Sequence, residues 1–224
     1  MSVESTDPAK VLLIDKPYEW TSFGVVKKVR YLLKLKKVGH AGTLDPLATG
    51  LLILCTGKKT KEIENFMGLP KEYTGTFILG KSTPSHDLET PFDEENDISG
   101  LTSEKILEVI SHYKGDIMQT PPQHSAIKVD GKRAYNSARE GKEIELKSRP
   151  VTIHEFECEI DLPNVNFRIT CSKGTYIRSL VRDIGIDLEC GACLTALRRT
   201  KIGSYSVDDA YTIDTLPTLE EFRK

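Results

Sequence analysis

The chain has 224 residues, 38% apolar and 29% charged, with 31 Lys and Arg against 33 Asp and Glu for a net charge of −2. These values exclude collagen, a mucin-like stalk, a disulfide scaffold and wholesale disorder, and no apolar run approaches the roughly 20 residues of a membrane helix. Five cysteines is an odd count, and Met1 to Ala9 has neither a basic start nor an apolar core. The sequence therefore reads as cytoplasmic, with free thiols and no secretory signal.

Val11-Leu12-Leu13-Ile14 predicts a buried strand that stops at Asp15-Lys16-Pro17. Ser22 predicts the cap of a following helix, whose apolar stripe is Val25, Val26, Val29, Leu32 and Leu33, with Lys27, Lys28, Arg30 and Lys34 outside it. Gly39 to Gly50 reads as a loop of small residues. Leu51 to Cys55 is a strand, Thr60 to Met67 a helix and Tyr73 to Leu79 a strand rich in β-formers. Pro84 to Gly100 is acidic and turn-rich, so an exposed loop is expected. Ile106, Leu107, Val109, Ile110 and Tyr113 mark an amphipathic helix, and Pro121-Pro122 breaks the chain.

Ile127 to Val129 predicts a strand, with a tight turn at Asp130-Gly131, and Ala134 to Glu140 a short helix ended by Gly141. Val151 to Ile160 and Val165 to Cys171 predict two strands joined at Pro163-Asn164. Ile177, Leu180, Val181, Ile184 and Leu188 repeat at helical spacing after Tyr176. A last strand is expected near Ile202 to Val207 and a short helix near Leu219. With no repeat and no low-complexity linker, the pattern predicts an α+β fold in one domain spanning 1–224.

The small net charge hides a division. Residues 20–61 hold nine Lys or Arg and one acid, Asp45, while residues 62–123 hold twelve acids and four bases. Residues 124–149 are basic again, 150–167 acidic, and 168–201 basic. Three basic segments could converge on a polyanion, although a charge run is as often a solvated face. The overall acidity argues against a general DNA coater and permits a specific RNA cleft.

Few motifs carry chemistry. Within Gly39-His-Ala-Gly-Thr-Leu-Asp-Pro-Leu-Ala-Thr-Gly50, residue chemistry leaves two outcomes for Asp45: an Asp-Pro turn, the commoner one, or a lone carboxylate presented beside His40. Gly57-Lys58-Lys59-Thr60 lacks the spacing of a phosphate loop. Cys190-Gly-Ala-Cys193 has no partner pair at zinc spacing, the five His are scattered, and no elbow serine is present. No metal site is expected. Arg178, at a helix start, could bind phosphate or pair with a carboxylate.

The segment Gly39 to Gly50 closely resembles the catalytic-aspartate motif of the TruB family of tRNA pseudouridine synthases. Leu13-Ile-Asp-Lys-Pro17 with Trp20-Thr-Ser22, Lys71-Glu-Tyr73, Pro121-Pro-x-x-Ser125-Ala-x-Lys128, Gly131-Lys132 with Tyr135 to Gly141, Lys173-Gly-Thr-Tyr-Ile-Arg178 and Leu197-Arg-Arg199 resemble its other motifs, in order. The resemblance implies a central mixed, mainly antiparallel sheet flanked by helices, with a tRNA-gripping insertion at about 122–148. It implies isomerisation of the T-loop uridine, position 55 of elongator tRNAs, to pseudouridine by base flipping, with no cofactor.

By that resemblance Asp45 is the essential carboxylate, Tyr73 stacks on the base and assists proton transfer, and Arg178 pairs with Asp45. His40 fills the space the base vacates, Tyr176 and Leu197 line the uracil pocket, and Lys16 supports the active-site loop. Lys128, Lys132, Arg133, Arg139 and Arg198 contact RNA. The implied partner is the T-stem loop of tRNA, with no membrane, no obligate protein partner and a monomeric state. Two departures stand out. Many members carry an acid where this chain reads Thr83-Pro84-Ser85, and many continue into a C-terminal PUA domain, which a chain ending at Lys224 is not expected to hold. The competing class is a non-catalytic RNA-binding protein or tRNA-folding chaperone, which would need neither Asp45, Tyr73 nor Arg178.

Overall fold

The computed structural model describes residues 7–123, 125 and 144–223, with the backbone of 128–129 and 132–133. In chain order the strands are β1 (Val11–Lys16), β2 (Val38–Ala41), β3 (Thr49–Thr56), β4 (Lys71–Leu79), β5 (Lys81–Ser82), β6 (Glu94–Glu95), β7 (Gly115–Gln119), β8 (Lys128–Val129), β9 (Lys132–Arg133), β10 (Arg149–Asp161), β11 (Asn164–Cys171), β12 (Ala192–Ile202) and β13 (Tyr205–Ser206). The helices are α1 (Ser22–Leu32), α2 (Ile63–Gly68), α3 (Ser103–His112), α4 (Ile177–Asp187) and α5 (Leu219–Arg223). Two compact units share the chain: one takes Met1–Tyr73 and Leu197–Lys224, the other Thr74–Ala196.

In the first unit β3 is the central strand, and its unbroken apolar run has a reason. Leu52 and Leu54 pack with Leu12 and Ile14 against Val25, Val26, Val29 and Leu33 of the α1 layer. Leu51, Ile53 and Cys55 pack with Phe66, Ile202 and Val207. Alternate residues thus bury opposite faces, which removes the polar alternation of a half-exposed strand. Each fully buried side chain of this size contributes about 1.5–3 kcal/mol. β1 runs antiparallel to β3, with Val11 opposite Cys55 and Lys16 opposite Gly50. Along its other edge β3 takes β2, antiparallel, and then β12, parallel, with Arg199 opposite Gly50.

In the second unit the strand order is β12-β4-β11-β10-β7. β10 and β11 form an antiparallel pair with Phe156 opposite Ile169, and β7 adds antiparallel to β10, with Arg149 opposite Gln119. Phe167 gathers the core: its ring centroid lies 6.0 Å from Phe77 and 6.4 Å from Phe156. α3 buries Ile106 and Ile110, and α4 buries Ile177, Leu180, Val181 and Ile184. The whole is a mixed, mainly antiparallel sheet with flanking helices, the α+β class the sequence predicts. Among the described residues no helix is long and apolar enough to cross a membrane.

Several local expectations change. The cap of α1 is Thr21, whose hydroxyl accepts from the Gly24 N–H at 2.9 Å, while Ser22 turns inward. Leu32 is exposed, and Leu33 alone closes the stripe. Residues 38–41 are the strand β2 rather than loop, and Thr60 to Met67 divides into a 3₁₀ turn over Gly57–Glu62 and α2. The last strand expected near Ile202 to Val207 is β13, and a longer strand that the pattern does not predict, β12, precedes it from Ala192. Pro84 to Gly100 is not exposed throughout, since Ser85 and Asp87 are buried. The expected strand at Ile127 to Val129 is present as β8, which pairs with β9, Lys128 opposite Arg133. The expected turn at Asp130-Gly131, the helix of Ala134 to Glu140 and Gly141 lie outside the described residues.

Candidate active site

In the first unit a web of backbone contacts fixes the chain around Asp45. The Ala48 N–H donates to the Asp45 carbonyl at 3.1 Å, so the Asp-Pro turn does form. The side chain is half-buried and engaged. Just before it, the buried Ser22 hydroxyl accepts from the Leu44 N–H at 2.9 Å and donates to the Leu44 carbonyl at 3.2 Å. The first residue of α1 thereby holds the neighbour of Asp45 by both backbone groups.

Lys16, fully buried at the end of β1, holds the other side. Its ammonium donates to the carbonyls of Pro17 at 2.9 Å, Trp20 at 2.7 Å and Pro46 at 3.1 Å. Burial lowers its pKa to about 8; the Asp45 carboxylate opposes that, the Arg199 guanidinium adds to it, and Asp15 opposes it again. Lys16 is thus a cation close enough to act on Asp45 and bonded to the residue after it.

Arg199 is buried in the same unit. Its guanidinium donates to the carbonyls of Leu51 at 2.7 Å and Gly42 at 3.1 Å, closing both ends of the 42–51 loop. Opposite the Arg199 backbone, Gly50 has φ +100°, and a Cβ there would run into the Arg199 carbonyl. His40 sits half-buried on β2 opposite Leu54. Burial, and then Arg199, push its pKa below the usual 6.5, so it is neutral at physiological pH. Tyr73 is buried on β4 and Leu197 half-buried on β12. Arg198, expected on RNA, makes a two-pronged contact with Asp15 at 3.0 and 2.7 Å, with its side chain still 40% exposed.

In the second unit Arg178 occupies the first turn of α4 and is buried. Its Nε lies 3.5 Å from a carboxylate oxygen of Asp87, and Nη1 donates to the Ser85 carbonyl at 3.1 Å. The hydroxyls of Thr83 and Ser85 both donate to the Asp87 carbonyl, at 2.7 and 3.0 Å. His86 takes a left-handed backbone, φ 61°, which turns the chain between them. The departure at Thr83-Pro84-Ser85 stands, and three residues after Pro84 the same loop sets an acid, Asp87, against Arg178. Sequence reasoning passed over it because it sits among acids in a segment expected to be solvated.

Tyr176 precedes α4, half-buried. Gln119, itself buried, accepts from its N–H at 2.8 Å and donates to its carbonyl at 3.0 Å, while the Arg149 guanidinium lies 5.0 Å from its ring centroid. Gln119 is a second residue the sequence reading missed, and nothing in its spacing distinguished it. The side chains of Lys128, Lys132 and Arg133, and the whole of Arg139, lie outside the described residues. All five cysteines are free, and among the described residues no three His, Cys, Asp or Glu gather as metal ligands.

Residues 30–177 match the model of the TruB family pseudouridylate synthase N-terminal domain, and 178–223 match that of the tRNA pseudouridylate synthase B C-terminal domain. The tRNA pseudouridine synthase B of Flavobacterium johnsoniae is 52% identical over 221 residues, covering 95% of this chain and 96% of that protein. That of Desulfotalea psychrophila is 48% identical over 211 residues, covering 91% and 86%. A solved Cbf5-Nop10-Gar1 complex contains a chain 31% identical, with a TM-score of 0.71, covering 91% of this chain and 53% of that one. With both domain models matched and half of all residues identical to relatives of nearly equal length, the chain belongs to the TruB family of pseudouridylate synthases.

Proposed function

We propose that this protein converts the T-loop uridine at position 55 of elongator tRNAs to pseudouridine in the cytoplasm, acting as a monomer on the T-stem loop. The observation that carries the reading is Asp45: a half-buried carboxylate in a basic segment, whose chain neighbours Pro46 and Leu44 are bonded by Lys16 and Ser22 and which the Lys16 charge acts upon. The reaction breaks the N1–C1′ bond of uridine, forms the C5–C1′ bond and moves the C5 proton, so no electron is exchanged. Asp45 acts as nucleophile or base. Lys16 keeps it ionised, since a nearby cation favours the carboxylate.

Tyr73 stacks on the flipped base and assists loss of the C5 proton. Arg178, fixed by Asp87 and Ser85, supplies a positive charge that does not titrate in the working range. Tyr176 and Leu197 line the base pocket, and a neutral His40 stacks in the gap the base leaves, offsetting part of an unstacking cost of a few kcal/mol. Lys128, Lys132, Arg133 and Arg139 of the insertion at about 122–148 hold phosphates, and Arg198 adds to them through its exposed portion.

The test is incubation of purified protein with unmodified elongator tRNA and mapping of pseudouridine. The expected result is modification at position 55, abolished by Asp45→Asn with tRNA affinity kept. No pseudouridine with the parent protein, or substantial turnover by Asp45→Asn, refutes the reading.

A further inference from the structure

The solvent face of α1 has a composition that packing does not explain. Phe23 and Tyr31 are 60% and 78% exposed. They stand two turns apart on the face opposite the buried Val25, Val26 and Val29, with Lys27 between them. The Lys27 ammonium lies 4.9 Å from the Phe23 ring centroid. Arg30 borders the same face, and Lys34 follows just past the helix end. Residues 20–44 contain no acid, so nothing on this segment cancels the charge. Two exposed aromatic rings on a helix of a small enzyme keep apolar surface in water without gaining a core, and a patch of such rings marks an interaction site.

We propose that this face is a platform for unpaired nucleotides of the RNA substrate, the rings stacking on bases and Lys27, Arg30 and Lys34 meeting phosphates. Charge complementarity names the occupant: a basic stripe with interleaved rings matches single-stranded nucleic acid, whose bases stack on aromatics without regard to sequence. Position supports it. Ser22, the first residue of α1, is bonded to Leu44 beside Asp45. The helix therefore begins beside the Asp45 loop, and its exposed stripe spans about 12 Å from Phe23 to Tyr31 at the helical rise of about 1.5 Å per residue. That length accommodates two nucleotides of an extended strand flanking the one that reacts. The inference rests on the RNA-modifying reading and adds a binding surface to it.

The test pairs Phe23→Ser/Tyr31→Ser with Lys27→Ala/Lys34→Ala, each measured for affinity to unmodified tRNA across a salt series and for turnover at saturating tRNA. These side chains are exposed, so both variants are expected to melt with the parent. The aromatic variant is expected to weaken tRNA about tenfold or more without changing the salt slope, because stacking is not ionic. The basic variant is expected to lower the log–log salt slope by about two. A single-stranded oligouridylate is expected to compete with tRNA on the parent and less on the aromatic variant, whereas a blunt RNA duplex competes equally on both. An aromatic variant that binds tRNA like the parent overturns the proposal. So does a change in sedimentation with tRNA affinity intact, which makes the face a protein interface. Failure of the parent to form pseudouridine refutes the enzymatic reading and leaves these binding measurements to decide the platform by themselves.

Discussion

Replacing Asp87 by Ala removes the carboxylate that lies 3.5 Å from Arg178 Nε, in a pair whose side chains are only 8% and 3% exposed. Breaking a buried pair by deleting one partner typically costs about 3–5 kcal/mol, because the remaining charge stays out of water. Arg178 keeps its bond to the Ser85 carbonyl, and the Thr83 and Ser85 hydroxyls donate to a backbone oxygen that alanine retains. The lower end, about 3 kcal/mol, is therefore expected. For a chain of this size each kcal/mol moves the melting point by about 2–4 °C, so Asp87→Ala should melt about 6–12 °C early. Asp87→Asn keeps the shape and one acceptor and should lose about half as much. In Asp87→Ala/Arg178→Met no charge is stranded, and its loss should fall below the sum of the single losses, which a double-mutant cycle by urea unfolding measures. Turnover of Asp87→Ala on tRNA should drop with affinity nearly unchanged, since the guanidinium is misplaced while phosphate contacts elsewhere remain. An Asp87→Ala protein that melts within about 2 °C of the parent refutes the argument.

His40 should titrate below 6.5 when followed by the NMR shifts of its ring. Its folded pKa is depressed, so the unfolded chain binds the proton first; its contribution to stability is present above 6.5 and is lost as pH falls through the folded value. A midpoint above 6.5 would contradict the burial argument. Gly50→Ala combines a left-handed φ with a Cβ against the Arg199 backbone, and should cost about 3 kcal/mol or more. Thermal unfolding within about 3 °C of the parent would mean the strand gives way easily there.

The parts of this fold that hydrophobic pattern specifies were legible. Leu51 to Cys55 and Val11 to Ile14 are strands because their apolar runs are too short for helices and are bounded by Gly, Asp and Pro. β12 escaped because Arg198, Arg199 and Lys201 do not read as a strand. Their charges are met by Asp15, by the Gly42 and Leu51 carbonyls and by Glu72, contacts that exist only after folding. Ser22 suits a cap by its type, and its use on Leu44 needs the loop in place. In the candidate site, Asp45 stood out because it is the lone acid among bases. Asp87 was hidden because it is one acid among several, and only its burial against Arg178 separates it from its neighbours.

Arg198 and Arg199 carry the same side chain at adjacent positions of one strand, and the two do unlike work. The period of two sends the first to the carboxylate of Asp15 and the second to the carbonyls that bracket the Asp45 loop. Identity of the residue thus counts for less here than parity. Shifting this strand by one residue would still offer an arginine to one of the two places while leaving the other without its own. Insertions and deletions between Leu197 and Ile202 should therefore be purged more strictly than exchanges of type, and length in this stretch should stay constant wherever the chemistry is kept.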